Sequence, residues 1–298
     1  MTNQISRREL SRRLRGMAVT AAAFGGKYGR AQGALTGTQL VELIKGKLAD
    51  EGVVWRPSLF DGFHLGEPNI AVTGVAVTFQ ATFDVLQRAA STGKNFVVSH
   101  ECTFWDGFDP VEVMQDDPVC QAKIRFAREH KMAAWRIHDH WHRRRPDPVF
   151  SAIARKLGWT EGTVEGRPRR HEIPESSLHE LARHVQHQLG TKNVVVVGDP
   201  DLRVKSVGDC IHVLSTVLPA LSTCDVALVG ETGQYDTFEY VRDAVSAGLH
   251  KGLIMISHQA LEEWGMQDFA EWLKPAVPGL PVEWLNSGDP FEVPALRI

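Results

Sequence analysis

Cysteine is scarce in this sequence, and the four present, Cys102, Cys120, Cys210 and Cys224, are scattered with no CxxC pair among them. That spacing excludes a zinc knuckle and a dense disulfide framework. Long apolar runs are missing too: no stretch approaches the roughly 20 residues a membrane-spanning helix needs, so no membrane partner is expected. Basic charge is not in excess either. With 33 Lys and Arg against 36 Asp and Glu, the formal net charge is -3, which offers no global field for nucleic acid and disfavours such a partner. What remains is a chain of 298 residues, 43% hydrophobic, able to bury one large core or two modest lobes without covalent staples. Histidine is the unusual count, at 13.

The first residues differ in character from the rest. Paired arginines, Arg7 and Arg8, precede a short apolar stretch from Met17 to Phe24, and small residues follow near Ala31 and Ala34. This arrangement resembles a twin-arginine export signal, which would carry a folded, metal-loaded protein to the periplasm. A basic amphipathic helix or a flexible tail is the alternative, with a cytoplasmic location. Residues 1–34 are therefore set apart from the body.

From Thr36 onward the pattern alternates between helix and strand. TGTQLVELIKGKLADEG offers Thr36 or Thr38 as N-cap, an i, i+3, i+4 apolar stripe and a closing Gly52, which predicts a helix. IAVTGVAVTF, FVVSH, MAAWRIH, NVVVVG, DVALVG and GLIMISH are short β-branched runs, most of them separated by helical stretches. The expectation is an α/β fold with largely buried sheets. The polar, Gly/Pro-rich segment Thr160 to Glu175 marks an internal boundary. It separates a first α/β lobe, 35–160, from a second, 161–298.

The two halves share a unit. FDVLQRAASTGKNFVVSH and FEYVRDAVSAGLHKGLIMISH match at Phe83/Phe238, Asp84/Glu239, Ala89/Ala244, Ser91/Ser246 and Gly93/Gly248, and both end in an apolar strand and Ser-His. Each places a histidine, His100 or His258, at the carboxyl end of a strand, where α/β sheets tend to build sites. MAAWRIHDHWH runs off a third strand into His138, Asp139, His140 and His142. If a helix begins at SHQALEEW, His258 and Glu262 share one face at i and i+4, a spacing that lets an imidazole and a carboxylate share an ion. Glu263 is then expected to be a solvated surface charge.

These motifs resemble the Nif3-like dinuclear-metal-centre family, also called domain of unknown function 34, whose members carry the label type 2 GTP cyclohydrolase I. VVSHECTFW is similar to that family's strand ending in Thr-His-His-Pro-Leu-hydrophobic-Phe, HDHWH to its His-Thr-x-x-Asp, and SHQALEE to its Gly-His-x-x-Ser-Glu. DVALVGETG resembles a strand ending in Thr-Gly-Glu, and VVGDPDLRVKSV resembles the entry to the second half. The resemblance spans roughly residues 36 to 290. It implies two similar, interlocked lobes facing across a central metal site, and a toroidal homo-hexamer, a trimer of dimers.

Carried over position by position, the resemblance implies metal ligands at His100, Glu101, His142, His258 and Glu262. Glu101 stands where relatives have a second histidine, and His142 where they have aspartate. Exchanging nitrogen and oxygen donors in this way shifts preference among zinc, iron and manganese, so the identity of the two divalent ions stays open. DCIHV, Asp209 to Val213, replaces a Gly-rich turn and removes a phosphate cradle expected there.

A pair of divalent ions implies hydrolysis, by acidifying a water and polarising a substrate carbon or phosphorus. Asp139, His140 and Glu231 are then candidates for general base or for orienting a ligating imidazole, with an ordinary structural role standing beside each. Arg143, Arg144 and Arg145 would hold a small anionic substrate if one turns inward, and are a solvated run if none does. A non-catalytic metal-binding or scaffold protein is the rival reading.

Overall fold

The computed structural model describes residues 35–109, 114–159, 169–210 and 214–291. Arg7, Arg8 and the rest of the expected export signal lie outside the described residues, as do 160–168 of the internal boundary and 211–213 of the DCIHV segment.

In chain order the first half runs α1 (Gly37–Asp50), β1 (Gly62–Leu65), β2 (Val75–Gln80), α2 (Phe83–Ser91), β3 (Phe96–Glu101), α3 (Pro118–Glu129), β4 (Ala133–Arg136), the short α4 (Asp139–His142) and α5 (Pro148–Leu157). The second half runs β5 (Arg169–Ser177), α6 (Leu178–Leu189), β6 (Val195–Val197), β7 (Arg203–Cys210), α7 (Leu214–Thr223), β8 (Val226–Val229), α8 (Glu239–Ser246), β9 (Gly252–Met255), α9 (His258–Leu273) and β10 (Val282–Trp284). The fold is α/β with two five-stranded sheets, β1-β4-β3-β2-β10 and β5-β7-β8-β9-β6. In each, the central strands are parallel: β2, β3 and β4 in the first, β7, β8 and β9 in the second. Those strands are buried almost throughout, which is why they read as continuous apolar runs rather than alternating ones.

Local signals set the element ends. Thr36, not Thr38, caps α1 in a reciprocal box with Gln39; Leu40, Val41, Ile44 and Leu48 form its buried stripe, and Gly52 leaves it at φ 85°. Thr38 instead donates to Asn69 Oδ1 at 2.8 Å. The repeated unit is present as α2 followed by β3 and α8 followed by β9. The copies diverge at their ends: Ser99 and His100 still belong to β3, whereas Ser257 caps α9 and His258 is that helix's first residue.

The segment after the second sheet returns to the first. β10 pairs in parallel with β2, Val282 opposite Val75. One apolar cluster joins Val75, Val77, Val98 and Trp135 of the first sheet to Val207, Val226, Leu228 and Ile254 of the second, with Leu261, Met266, Phe269 and Leu273 of α9 among them. Each of these large α9 side chains contributes about 1.5–3 kcal/mol by leaving water. The helix sits close to α5: a Cβ at Gly265 would stand 2.7 Å from Val149 Cα, and Trp141 Nε1 donates to the Gly265 carbonyl at 3.1 Å. That approach carries the first turn of α9 to the carboxyl ends of β2 and β3. Among the described residues no helix is long and apolar enough to cross a membrane.

Candidate metal centre

His100 closes the buried part of β3 and is itself fully buried. Its Nδ1 lies 3.2 Å from the Ile137 carbonyl. A carbonyl only accepts, so the hydrogen is on Nδ1 and Nε2 presents its lone pair. Nε2 is 3.3 Å from Glu262 Oε2. The same logic recurs twice around α4. His142 Nδ1 is 2.9 Å from Asp147 Oδ2, and His138 Nδ1 is 3.1 Å from Asp139 Oδ1. The three rings cluster, His100 stacked on His138 with centroids 4.6 Å apart and His142 edge-on to both, at 4.9 Å from His100 and 5.0 Å from His138.

The fourth imidazole arrives from the second half. His258 Nε2 is 3.0 Å from Glu262 Oε2, one turn along the same helix, and its Nδ1 is 3.6 Å from Glu231 Oε1. Glu101 follows His100 in β3; its Oε1 lies 3.5 Å from His138 Nε2 and its Oε2 accepts from Arg136 Nη2 at 2.6 Å. The buried Arg136 sits on the neighbouring strand and also donates through Nε to the His100 carbonyl at 2.9 Å. It fits a carboxylate at the position where the family pattern has histidine: a neutral ring at 101 would leave this guanidinium only the more distant Asp109, 4.0 Å from Nη1, as a countercharge.

Among the described residues, two overlapping sets of donors are close enough to hold an ion. One donor atom from each of His100, His138 and His142 lies within 4.8 Å of the others, and so does one from each of His100, Glu101 and Glu262. Nε2 of His100, Nε2 of His142 and Oε2 of Glu262 are buried without a hydrogen bond of acceptable geometry. Buried polar atoms are normally satisfied, so these three, each belonging to at least one of the two sets, fit cation ligation. The structure thus places four of the five residues carried over from the family pattern, His100, Glu101, His142 and Glu262, in these two sets and adds His138; His258 is in neither set and stands beside them against Glu262.

Electrostatics match the geometry. Burial opposes the charged form of Glu262, but His258 and then His100 outweigh it and hold the carboxyl well below the usual carboxylate range. Burial likewise opposes charge on His258, and Glu262 with Glu231 overcomes it, raising the imidazole well above its ordinary value. His142 is raised against its burial by Asp147. His138 goes the other way: burial, then the neighbouring His100 and His142, push it down to about 4, so it is neutral at pH 7 and ready to donate a lone pair.

The other expected residues fall in different places. Asp139 uses both oxygens on neighbours, Oδ1 toward His138 and Oδ2 accepting from Ser58 Oγ at 2.8 Å. It orients an imidazole. His140 is fully buried outside both donor sets: Nδ1 pairs with Asp61 Oδ2, while Nε2 receives the Arg56 N–H at 2.9 Å and faces Arg143 Nη1 at 2.7 Å. Glu231 lies in the wall of a ~630 Å3 cavity that opens over the cluster, with Glu101, His138 and His258 also lining it and Phe60, Phe79, Trp105 and Phe291 forming apolar parts.

One open alternative is decided and one expectation is corrected. None of the three arginines after His142 lines the cavity. Arg143 is turned to His140, Arg144 Nε is 2.6 Å from Glu51 Oε2, and Arg145 donates to the carbonyls of His142 and Arg144. Glu263 is not a solvated charge. It is 3% exposed, accepts from Asn286 Nδ2 at 3.0 Å, and burial, against hydrogen bonds from Gln259 and Asn286, pushes its carboxyl up to about 7.

Sequence reading missed His138 as a donor and Asp61, Asp147 and Arg136 as supports. His138 had a visible signal, standing four residues before His142 at a strand end. Asp147 before Pro148 reads as a helix cap, and it does cap α5, with Oδ1 accepting from Val149 N–H at 3.0 Å. Its second oxygen is the one that serves His142.

Fold and site together define an α/β protein with a buried, metal-competent His/Glu cluster beneath an open cavity. The chain belongs to the DUF34/NIF3 family (NGG1p interacting factor 3), whose sequence model matches residues 60–290. Solved structures with the same fold include a Staphylococcus aureus hypothetical protein, SA1388, at 16% identity and TM-score 0.66, covering 87% of this chain and 99% of that one. A Bacillus cereus protein related to NIF3 aligns at 14% identity and TM-score 0.67, covering 88% and 100%. TTHA1606 from Thermus thermophilus aligns at 18% and 0.62, covering 87% and 100%. No curated protein matches.

Proposed function

We propose that this chain is a dinuclear metal-dependent hydrolase of the type 2 GTP cyclohydrolase I kind, acting on a nucleotide or another small anionic substrate. The observation that carries the reading is the inward convergence of imidazoles whose Nδ1 atoms are tied back to oxygen acceptors. His100, Glu101, His138, His142, His258 and Glu262 would hold two divalent ions, zinc, iron or manganese. An imidazole nitrogen binds one ion only, so Glu101 and Glu262 are the side chains able to serve both. When bound, such ions supply Lewis acidity and a water acidic enough to attack at neutral pH.

The chain's own residues do the rest. Glu231, with Oε1 3.6 Å from His258 Nδ1 and facing the cavity, would take up the proton released by the attacking water. Asp139 and Ser58 keep His138 in register. Phe60 and Phe79 pack against His138 and His258 and exclude water from that side. Arg136 is the only arginine among the described cavity-lining residues, and Glu101 already holds its charge. An anionic group on the substrate would therefore be met by the ions. A hexamer built as a trimer of dimers, and export by the twin-arginine route, belong to the same proposal. The first is read by solution mass, the second by fractionating cells that carry Arg7→Lys and Arg8→Lys.

The test is a substrate screen covering GTP, phosphate esters and amides, run on metal-loaded and chelator-stripped protein. Turnover that disappears with the metal and returns with manganese, zinc or iron supports the hydrolase. Tight metal binding with no turnover on any substrate replaces it with the metal-binding or scaffold reading.

A further inference from the structure

A row of charged and titratable side chains, buried except for the partly exposed Arg169, leads from His142 into the second sheet. Asp147, 5% exposed, faces His142 Nδ1 through Oδ2 at 2.9 Å, and the same oxygen lies 3.3 Å from Arg169 Nη2. The other end of that guanidinium, Nη1, is 3.8 Å from Asp209 Oδ1, a charge contact rather than a hydrogen bond. Asp209 Oδ2 in turn is 3.1 Å from Nε2 of His171, which is 1% exposed. Backbone register builds the far half of the row: Arg169 on β5 is the direct antiparallel partner of Asp209 on β7. His171, two residues along β5, falls on the same face. Packing reinforces the near half. The Arg169 guanidinium lies 3.1 Å from the centre of the Phe150 ring, and that ring is 5.6 Å from His142.

The consequence follows from how an arginine that is largely, not fully, shielded from water divides its charge. Held between two carboxylates, Arg169 can satisfy Asp147 without drawing it away from His142. With Asp209 neutral, more of the guanidinium's charge falls on Asp147. The negative charge that Asp147 lends to the His142 ring then falls, and with it the ring's strength as a ligand. Resting on the reading of the cluster as a metal centre, we propose that Arg169 and Asp209 are positioning residues for it, acting through Asp147 on His142. The second sheet thereby tunes metal affinity without contributing a donor through this row.

The experiment is a Co2+ titration of the full-length, chelator-stripped protein, followed by the visible ligand-field bands and by competition with a chromophoric chelator. Asp147→Asn should weaken binding about 10- to 100-fold, as loss of a direct partner to a ligating histidine does, and Asp209→Asn by about 3- to 10-fold. In the Asp147→Asn background, Asp209→Asn should change affinity less than about 2-fold, because its route to the metal is already cut. Arg169→Lys should behave like Asp209→Asn, since a point charge cannot span two carboxylates. Should Asp209→Asn not fold, Arg169→Lys serves in its place, alone and in the Asp147→Asn background. Wild-type-like affinity in these variants, or full additivity with Asp147→Asn, overturns the proposal and leaves the metal reading intact. Failure of the wild-type chain to bind Co2+ overturns both.

Discussion

His258 Nε2 and His100 Nε2 approach the same carboxylate oxygen, Glu262 Oε2, at 3.0 and 3.3 Å, although 158 positions separate the two histidines (258 minus 100). One comes from each copy of the repeated helix-strand unit. The carboxylate is 1% exposed, and without a cation it is the main counter-charge for His258.

Metal binding should therefore release protons. His258 and His142 are held above their ordinary values in the metal-free chain, so protons must leave before their lone pairs can bind an ion. Affinity should rise with pH as those raised values are approached and passed. Titration calorimetry at pH 7 in two buffers of different ionisation enthalpy should give apparent enthalpies differing by at least about half a proton's worth. Identical enthalpies would show that the imidazoles were already neutral.

Asp61 fixes the histidine-bearing turn. Its Oδ1 accepts the N–H groups of His138 at 2.6 Å and Asp139 at 2.9 Å, and its Oδ2 accepts that of His140 at 3.0 Å together with the His140 ring. Asp61→Ala should cost about 2–4 kcal/mol in thermal unfolding and weaken metal binding as well. Burial opposes the charge of Asp61, yet these donors hold its carboxyl below the ordinary 3.8. Its contribution is thus fully present above that value and lost as pH falls through the lowered one. Between wild type and Asp61→Ala, the stability gap should stay constant from pH 7 to 5 and close only in stronger acid.

Gly265→Ala tests whether the helix crossing positions the ligands. The added Cβ would meet Val149 Cα at 2.7 Å, a backbone atom that cannot swing aside. Overpacking of that kind costs about 1–3 kcal/mol, and displacement of α9 should also lower the affinity of the site built on its first turn. Loss of stability with unchanged metal affinity would show that Glu262 and His258 tolerate the shift.

Much of this site was legible because its donors are local events in the chain. A Ser-His at a strand end, a second at a helix start, and His258 four residues before Glu262 are all short-range patterns, and the helix from Thr36 to Gly52 announced itself by cap, stripe and glycine. What stayed hidden depends on distant partners. His140 looks equivalent to His138 and His142, yet Asp61, 79 positions away in the chain, turns it aside. Glu263 follows Glu262 on a helix whose amphipathic pattern is blurred by burial on several sides. Only the return of the chain after β10, bringing Asn286 onto it, makes it a core residue. Asp147 and Arg136 carry ordinary capping and strand signals that say nothing of which imidazole or carboxylate they serve.

The most direct test of the central claim is metal stoichiometry by elemental analysis of purified wild-type protein beside Glu262→Gln. An amide at 262 keeps the volume but removes the charge that draws cations to His100 and His258. The wild-type chain should carry two divalent ions per monomer, removable by chelator and restored on reloading, and Glu262→Gln should lose at least one under the same conditions with its fold intact by circular dichroism. Wild-type protein that takes up no metal when reloaded, or a Glu262→Gln variant that binds both ions as tightly as wild type, would contradict the account.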